Sequence, residues 1–231
     1  MRSVIRRRSS RCPRCQLTLR WCVCAAARPI ATPLALTLLT HPREATRPSS
    51  TGNLIQRLFT GCTQALWDFR QPPRPQDLLL PGRDLWILHP QGQPLPPEAD
   101  PAQLQVMLID GAWTEAATMA KEVKHWGRLV SLPLTGASRF WLRAKQDAER
   151  YSTAEALLFL LKRLGLHAAE AALRAQFELL VYAALRARGR TDLAARFLEN
   201  SVLNDAMPEQ LAQLQARRPL EGSGSDTQGM P

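Results

Sequence analysis

The sequence predicts an α/β fold on a parallel sheet, preceded by a small cysteine-rich appendage and followed by a helical extension. Three observations carry this. Short continuous apolar runs, bounded by turn residues, recur at 34–39, 85–88, 106–109 and 129–132. A helical apolar pattern falls between the last two, and runs this uniformly apolar belong to strands covered on both faces, as in parallel sheets. Ahead of them, Cys12, Cys15, Cys22 and Cys24 crowd into CPRCQLTLRWCVC.

Residues 1–11, MRSVIRRRSSR, read as a basic tail. Their arginines run straight into the cysteines without the apolar core of a secretory signal. A reduced, cytoplasmic setting with a bound metal is therefore favoured over two disulfides. Four thiolates can close a tetrahedral site on a soft cation, most commonly zinc. A segment so short buries too little apolar surface to hold itself, so the metal would supply its folding energy. Cys62 is left over and reads as an ordinary buried thiol.

Downstream, 34–39 is the first strand, 52–59 a helix and 65–67 a second strand. Pro-rich stretches at 71–75 and 90–101 read as loops. Ala116, Met119, Ala120 and Val123 stand at i, i+3, i+4 and i+7, one face of a helix. Ser152 and Glu155 form a capping box opening a helix to Leu164, with Gly165 as its stop. A longer helix carries Leu173, Phe177, Leu180, Val181 and Ala184 on one stripe and stops at Gly189. Beyond about 206 the chain turns polar and ends in EGSGSDTQGMP, which predicts disorder. The expected organisation is a tail and knuckle over 1–28, a main domain over 29–205, and a disordered tail over 206–231.

The formal charge is +10, and Lys121, Lys124, Lys145 and Lys162 are the only lysines, so arginine carries the excess. That balance suggests a polyanionic partner, and guanidinium groups fit phosphate bidentately. No apolar run approaches the roughly 18 residues of a membrane span.

Ligands of open parallel sheets bind beyond the carboxyl ends of the strands. Three segments place polar residues there: His41 to Glu44 leading into RPSSTGNL, Asp110 to Trp113, and Pro133 leading into SRFWLRAKQ. Asp110 reads two ways, as a general base beside a Trp113 stacking platform or as the N-cap of the next helix. Glu115 suits the dipole of that helix. His41 reads as an acid–base group or as a turn imidazole bonded to backbone. Ser50, Thr51 and Gly52 can cap the following helix or hold an anion. Arg139, Arg143 and Lys145, interleaved with Phe140 and Trp141, suit phosphate contacts with base stacking, or a solvated edge.

Together these pieces resemble the DTW-domain family of tRNA-uridine aminocarboxypropyltransferases. The resemblance covers about 11–165: the cysteine cluster, LLTHPREATRPSSTGNLIQRL, the LHP at 88–90, LIDGAWTEAATM and FWLRAKQDAERYSTAEALLFLL. The family motif is Asp-x-Thr/Ser-Trp; here Ala112 stands in its third position, and Ser50 replaces the usual Asn before Thr-Gly. The resemblance implies a SPOUT-like fold with a trefoil knot, and S-adenosylmethionine as cosubstrate. It implies transfer of the 3-amino-3-carboxypropyl group to N3 of a tRNA uridine, releasing 5′-methylthioadenosine. On it, Asp110 is the base and Trp113 the platform. Thr51, Gly52, Leu88, Ile109 and Gly111 cradle the cosubstrate, Arg139, Arg143 and Lys145 hold RNA, and the cysteines hold structural zinc. A SPOUT methyltransferase and a non-catalytic zinc-bearing RNA binder are the rival readings.

Overall fold

The computed structural model describes residues 10–133, 135–142 and 151–217. Its strands are β1 (Ala35–Thr40), β2 (Thr63–Leu66), β3 (Asp84–Pro94), β4 (Leu104–Asp110) and β5 (Arg128–Ser131). They form one sheet in the order β2-β1-β4-β3-β5, and every neighbouring pair is parallel. The helices are α1 (Pro42–Ala45), α2 (Thr51–Leu58), α3 (Pro75–Leu78), α4 (Trp113–Val123), α5 (Thr153–Arg163), α6 (His167–Ala187), α7 (Thr191–Leu198), α8 (Leu203–Ala206) and α9 (Pro208–Gln215).

Both faces of the sheet are covered, which is why the central strands are largely apolar on both faces, with Thr37 and Gln105 buried and hydrogen-bonded to each other. Leu36, Leu38, Trp86, Val106 and Leu108 face a large core shared with α2, α5 and α6. Their alternates Leu39, Leu85, Ile87 and Met107 face a smaller core with Leu78, Met119 and Val123 of α3 and α4. The periodicity of two that separates these sets is the pleat itself.

Four differences from the sequence reading have physical causes. The second strand lies two residues earlier than expected, at Thr63–Leu66, because this half-exposed edge strand lacks the apolar run that marks the others. The third runs past its apolar run into the Pro-rich stretch. After Leu88 pairs with Val130, residues 89–92 bulge out and Gln93 pairs with the same Val130. A Cβ on Gly92 would lie 2.4 Å from the Val130 carbonyl carbon, so only glycine lets the strand close back on β5. Pro90 is tolerated because the bulge needs no ladder hydrogen bond there.

The third difference is α6, which is buried on nearly all sides rather than along one stripe. The knuckle, α5, α7 and the α8–α9 pair surround it, the usual fate of a helix apolar all round. The fourth is the supposed tail. Residues 208–215 form α9, with Leu211 and Leu214 buried, so the disorder expected from 206 does not hold through 217. A polar average hid two apolar residues at helical spacing. Gly165 and Gly189 do stop α5 and α6, with φ of 72° and 70°.

The last described residue ties the C-terminal extension to the knuckle. The Arg217 guanidinium donates to the carbonyls of Arg20 and Cys22 at 2.6 and 3.3 Å, while Gln176 donates to the Ala26 carbonyl. Arg186 lies over the Trp21 ring at 4.9 Å. Among the described residues no helix is long and apolar enough to cross a membrane.

Candidate functional site

β1 and β4 lie side by side, yet their connections leave toward opposite ends of the sheet. Thr40 and Asp110 are in register at this switch point. Asp110 is only 4% exposed. Its Oδ2 accepts the Ser50 hydroxyl at 3.1 Å, its Oδ1 accepts the Thr153 hydroxyl at 2.7 Å, and the Gly52 amide also bonds it. A Cβ on Gly52 would fall 2.4 Å from Oδ2, so the first turn of α2 reaches the carboxylate only because that residue is glycine. Burial pushes the Asp110 carboxyl above the usual range, against the pull of Thr153, Ser50, Gly52 and the Arg47 charge.

Asp110 does not cap α4, whose N-cap is Ala112. The residue expected as a base at the sheet edge is buried, and both its oxygens turn inward to bind the starts of α2 and α5. Thr51 is likewise turned in, its hydroxyl accepting the Ala154 amide at 3.2 Å, and Gly52 lies against Asp110. Neither lines the neighbouring cleft.

That cleft, about 430 Å³, opens beyond the carboxyl ends of β3, β4 and β5. Leu88, Ile109, Gly111 and Trp113, all singled out in the sequence, line it together. So do His89, Leu132, Tyr151 and Thr153, to which no site role was assigned. The capping box was a signal for the last two: Ser152 and Glu155 cap α5 reciprocally, and Glu155 also accepts Ser138 and the Arg139 amide. One carboxylate thereby fixes the α5 start and the 135–142 segment beside it. His89 accepts the Gln91 amide on Nδ1 at 3.2 Å, and burial holds its pKa below the ordinary imidazole value. At neutral pH the ring is therefore neutral with its proton on Nε2, a donor there.

His41 does what a turn imidazole does, accepting the Arg43 amide on Nδ1. Glu115 reaches back to the Ala112 amide at 2.9 Å, half of a capping box whose other half is missing because alanine has no hydroxyl. The third motif position is thus a helix cap. Arg139, expected on the RNA, is committed inside: its guanidinium meets Glu178 at 3.3 Å and the Phe197 carbonyl at 2.8 Å, over the Phe197 ring. Arg143 and Lys145 lie outside the described residues.

In the knuckle, the four Sγ atoms lie within 4.8 Å of one another, with Cys12–Cys24 at 3.7 Å and Cys15–Cys22 at 3.8 Å. Zinc–sulfur bonds of about 2.3 Å in a tetrahedron place sulfurs about 3.8 Å apart, so the group could hold a metal ion. Burial opposes ionisation of Cys12, but the Cys15 and Arg14 amides and neighbouring thiols bring it down to about 6. Burial and the Cys15 charge push Cys24 up to about 12, while the Arg57 guanidinium donates to its sulfur at 3.3 Å. A cation is what would let all four ionise. Cys62 is pushed up to about 12 by burial, an unreactive thiol.

A model of the DTW domain matches residues 9–185. The chain belongs to the DTW-domain family. Membership is consistent with a tRNA-modifying enzyme. The DTW domain so bounded takes in the knuckle, the sheet and most of α6, and leaves α7, α8 and α9 as an extension. No solved structure matches the chain.

Two expected outcomes follow from this geometry. Ala112→Ser restores the missing cap of the DTW helix α4 and should raise stability by about 1 kcal/mol in urea unfolding, since the site is exposed. No gain would mean the α4 amides are already satisfied. For Asp110, a carboxyl raised in the fold binds its proton more tightly there than in the unfolded chain. Its contribution is fully present below the ordinary value of 3.8 and is lost as pH climbs through the folded value. Wild type should therefore lose stability relative to Asp110→Asn as pH rises from about 4; a gap that moves the other way would refute the raised pKa.

Proposed function

We propose that this DTW protein transfers the 3-amino-3-carboxypropyl group of S-adenosylmethionine to N3 of a tRNA uridine, releasing 5′-methylthioadenosine. The observation that carries the reading is an apolar cleft at the sheet edge within the family-matched region, next to a hydroxyl hydrogen-bonded to a buried carboxylate. The SPOUT-like description, with its trefoil knot, belongs to the same proposal.

The cleft suits the cosubstrate. Its volume lies within the roughly 300–1,000 Å³ typical of small-molecule sites. Leu88, Ile109, Leu132 and Val130 offer apolar walls for an adenosine, and the α5 N-terminus offers a positive helix end toward a carboxylate. When bound, S-adenosylmethionine supplies a sulfonium, so the γ-carbon can accept an electron pair as its bond to sulfur breaks. Selecting that carbon over the methyl is a matter of which one the walls aim at N3.

The chain's own task is to remove the N3 proton. Thr153 lines the cleft and already donates to Asp110 Oδ1 at 2.7 Å. Its oxygen can take the N3 proton while its own proton passes to Asp110, whose raised affinity for protons suits that end of the path. Asp110 then acts through Thr153 rather than on the base itself. His89, donating from Nε2, can steady the charge that develops on a uracil carbonyl. Trp113 at the cleft supplies a surface for a base.

Purified protein incubated with tRNA and S-adenosylmethionine should release methylthioadenosine and add an aminocarboxypropyl mass to a uridine. Thr153→Val should cut kcat by about 10²-fold or more with cosubstrate affinity kept, and Thr153→Ser should restore most of it. A methylated product would instead establish a methyltransferase. No small-molecule product with intact RNA binding would establish a binder, and full activity of Thr153→Val would end the relay.

The cysteines then hold structural zinc, without an open position for catalysis. Cys15→Ser should lose the metal in elemental analysis and unfold at markedly lower temperature. Metal-free wild type of undiminished stability would contradict a structural role.

A further inference from the structure

We infer that the strip Phe69–Arg43–Trp113, backed by the buried His41, is the docking surface for single-stranded RNA beside the cleft, with Phe69 as a base-stacking platform. The inference rests on the reading of an RNA substrate and adds Phe69 and Arg70, which the sequence did not single out, to the strand-end edge.

The segments that follow three adjacent strands build this strip: 67–70 after β2, 41–43 after β1 and 111–113 after β4. Phe69 is 58% exposed and Trp113 42% exposed, both high for large apolar side chains. Phe69 is nevertheless held in place. Its ring meets His41 edge-on at 5.8 Å and the buried Trp67 at 5.9 Å. A solvent-facing aromatic fixed by two neighbours loses little freedom when a base stacks on it.

The same edge leads from Phe69 to the cleft by way of the first turn of α4. His41 Nδ1 lies 3.3 Å from Glu115, in the first turn of α4, where Trp113 lines the cavity. Cations flank the rings. The Arg43 side chain is 75% exposed with one nitrogen 3.3 Å from Glu115, and Arg70 follows Phe69 in an exposed loop. Rings interleaved with arginines are the chemistry of single-stranded nucleic acid, where bases stack and guanidinium groups meet phosphates. The +10 balance of the chain favours that occupant over an acid-poor apolar partner. Arg139, by contrast, faces Glu178 inside the fold.

The test uses full-length protein with two labelled probes, a short oligouridine and unfractionated tRNA, read by fluorescence anisotropy at fixed salt. Calorimetry with S-adenosylmethionine runs in parallel. Phe69→Ala should weaken both RNAs by about tenfold, while Phe69→Tyr keeps wild-type affinity and the thermal midpoint and cosubstrate affinity stay unchanged. Arg70→Ala should lower the salt slope by about 1. RNA affinity within twofold of wild type in Phe69→Ala, equal weakening by Phe69→Tyr, or no RNA binding by wild type would each overturn the surface. If Phe69→Ala weakens RNA but no methylthioadenosine ever forms, the surface stands and the proposed reaction falls. If transfer proceeds and Phe69→Ala leaves KM for tRNA unchanged, the surface falls alone.

Discussion

One buried carboxylate organises the carboxyl edge of this sheet. Asp110 ends the central strand β4, and its oxygens collect the Ser50 hydroxyl, the Gly52 amide and the Thr153 hydroxyl. Two helices that begin a hundred residues apart in sequence therefore start from the same side chain. A buried ion is costly unless its lone pairs are filled, so the arrangement tolerates no partial version. Gly52 has no side chain because the carboxylate occupies that space. Ser50 both caps α2 and donates to Asp110, and Thr51 reaches across to the α5 amide.

The cleft depends on that lock. Its lining from α5 is placed by Thr153 on Asp110 and by the Glu155 capping box, and its lining from β4 by the strand that Asp110 terminates. The same bond that fixes Thr153 gives the carboxylate a route to the cavity that its own burial denies. Structure and chemistry share one contact here, so a substitution at Asp110 alone cannot separate them. The Thr153 pair of variants can, because Thr153 touches the cleft while the remaining bonds to Asp110 persist.

Outside the edge, the chain closes on itself from both ends. The knuckle contributes Cys12, Cys15, Leu17, Trp21 and Val23 to the main core, and the extension beyond the matched domain grips its backbone through Arg217. The cysteine cluster is thus a cornerstone of the helical layer rather than a separate module. Arg139, half-buried against Glu178 and Phe197, belongs to the same layer.

The sequence alone determined the strands buried on both faces, the four-thiolate cluster, the α5 capping box and the stops at Gly165 and Gly189. Each is a local pattern: a run, a spacing or a cap whose partners lie within a few residues. It also pointed to Asp110, Trp113 and the sheet edge, through the order of motifs. Only the tertiary structure decided which way Asp110 turns, that Ala112 and not Asp110 caps α4, that Arg139 points inward, and that residues 208–215 are a packed helix. Those outcomes depend on groups distant in the chain, such as Thr153 for Asp110 and Glu178 for Arg139. A side chain's direction is set by what fills the space around it, and that space exists only once the layers have met.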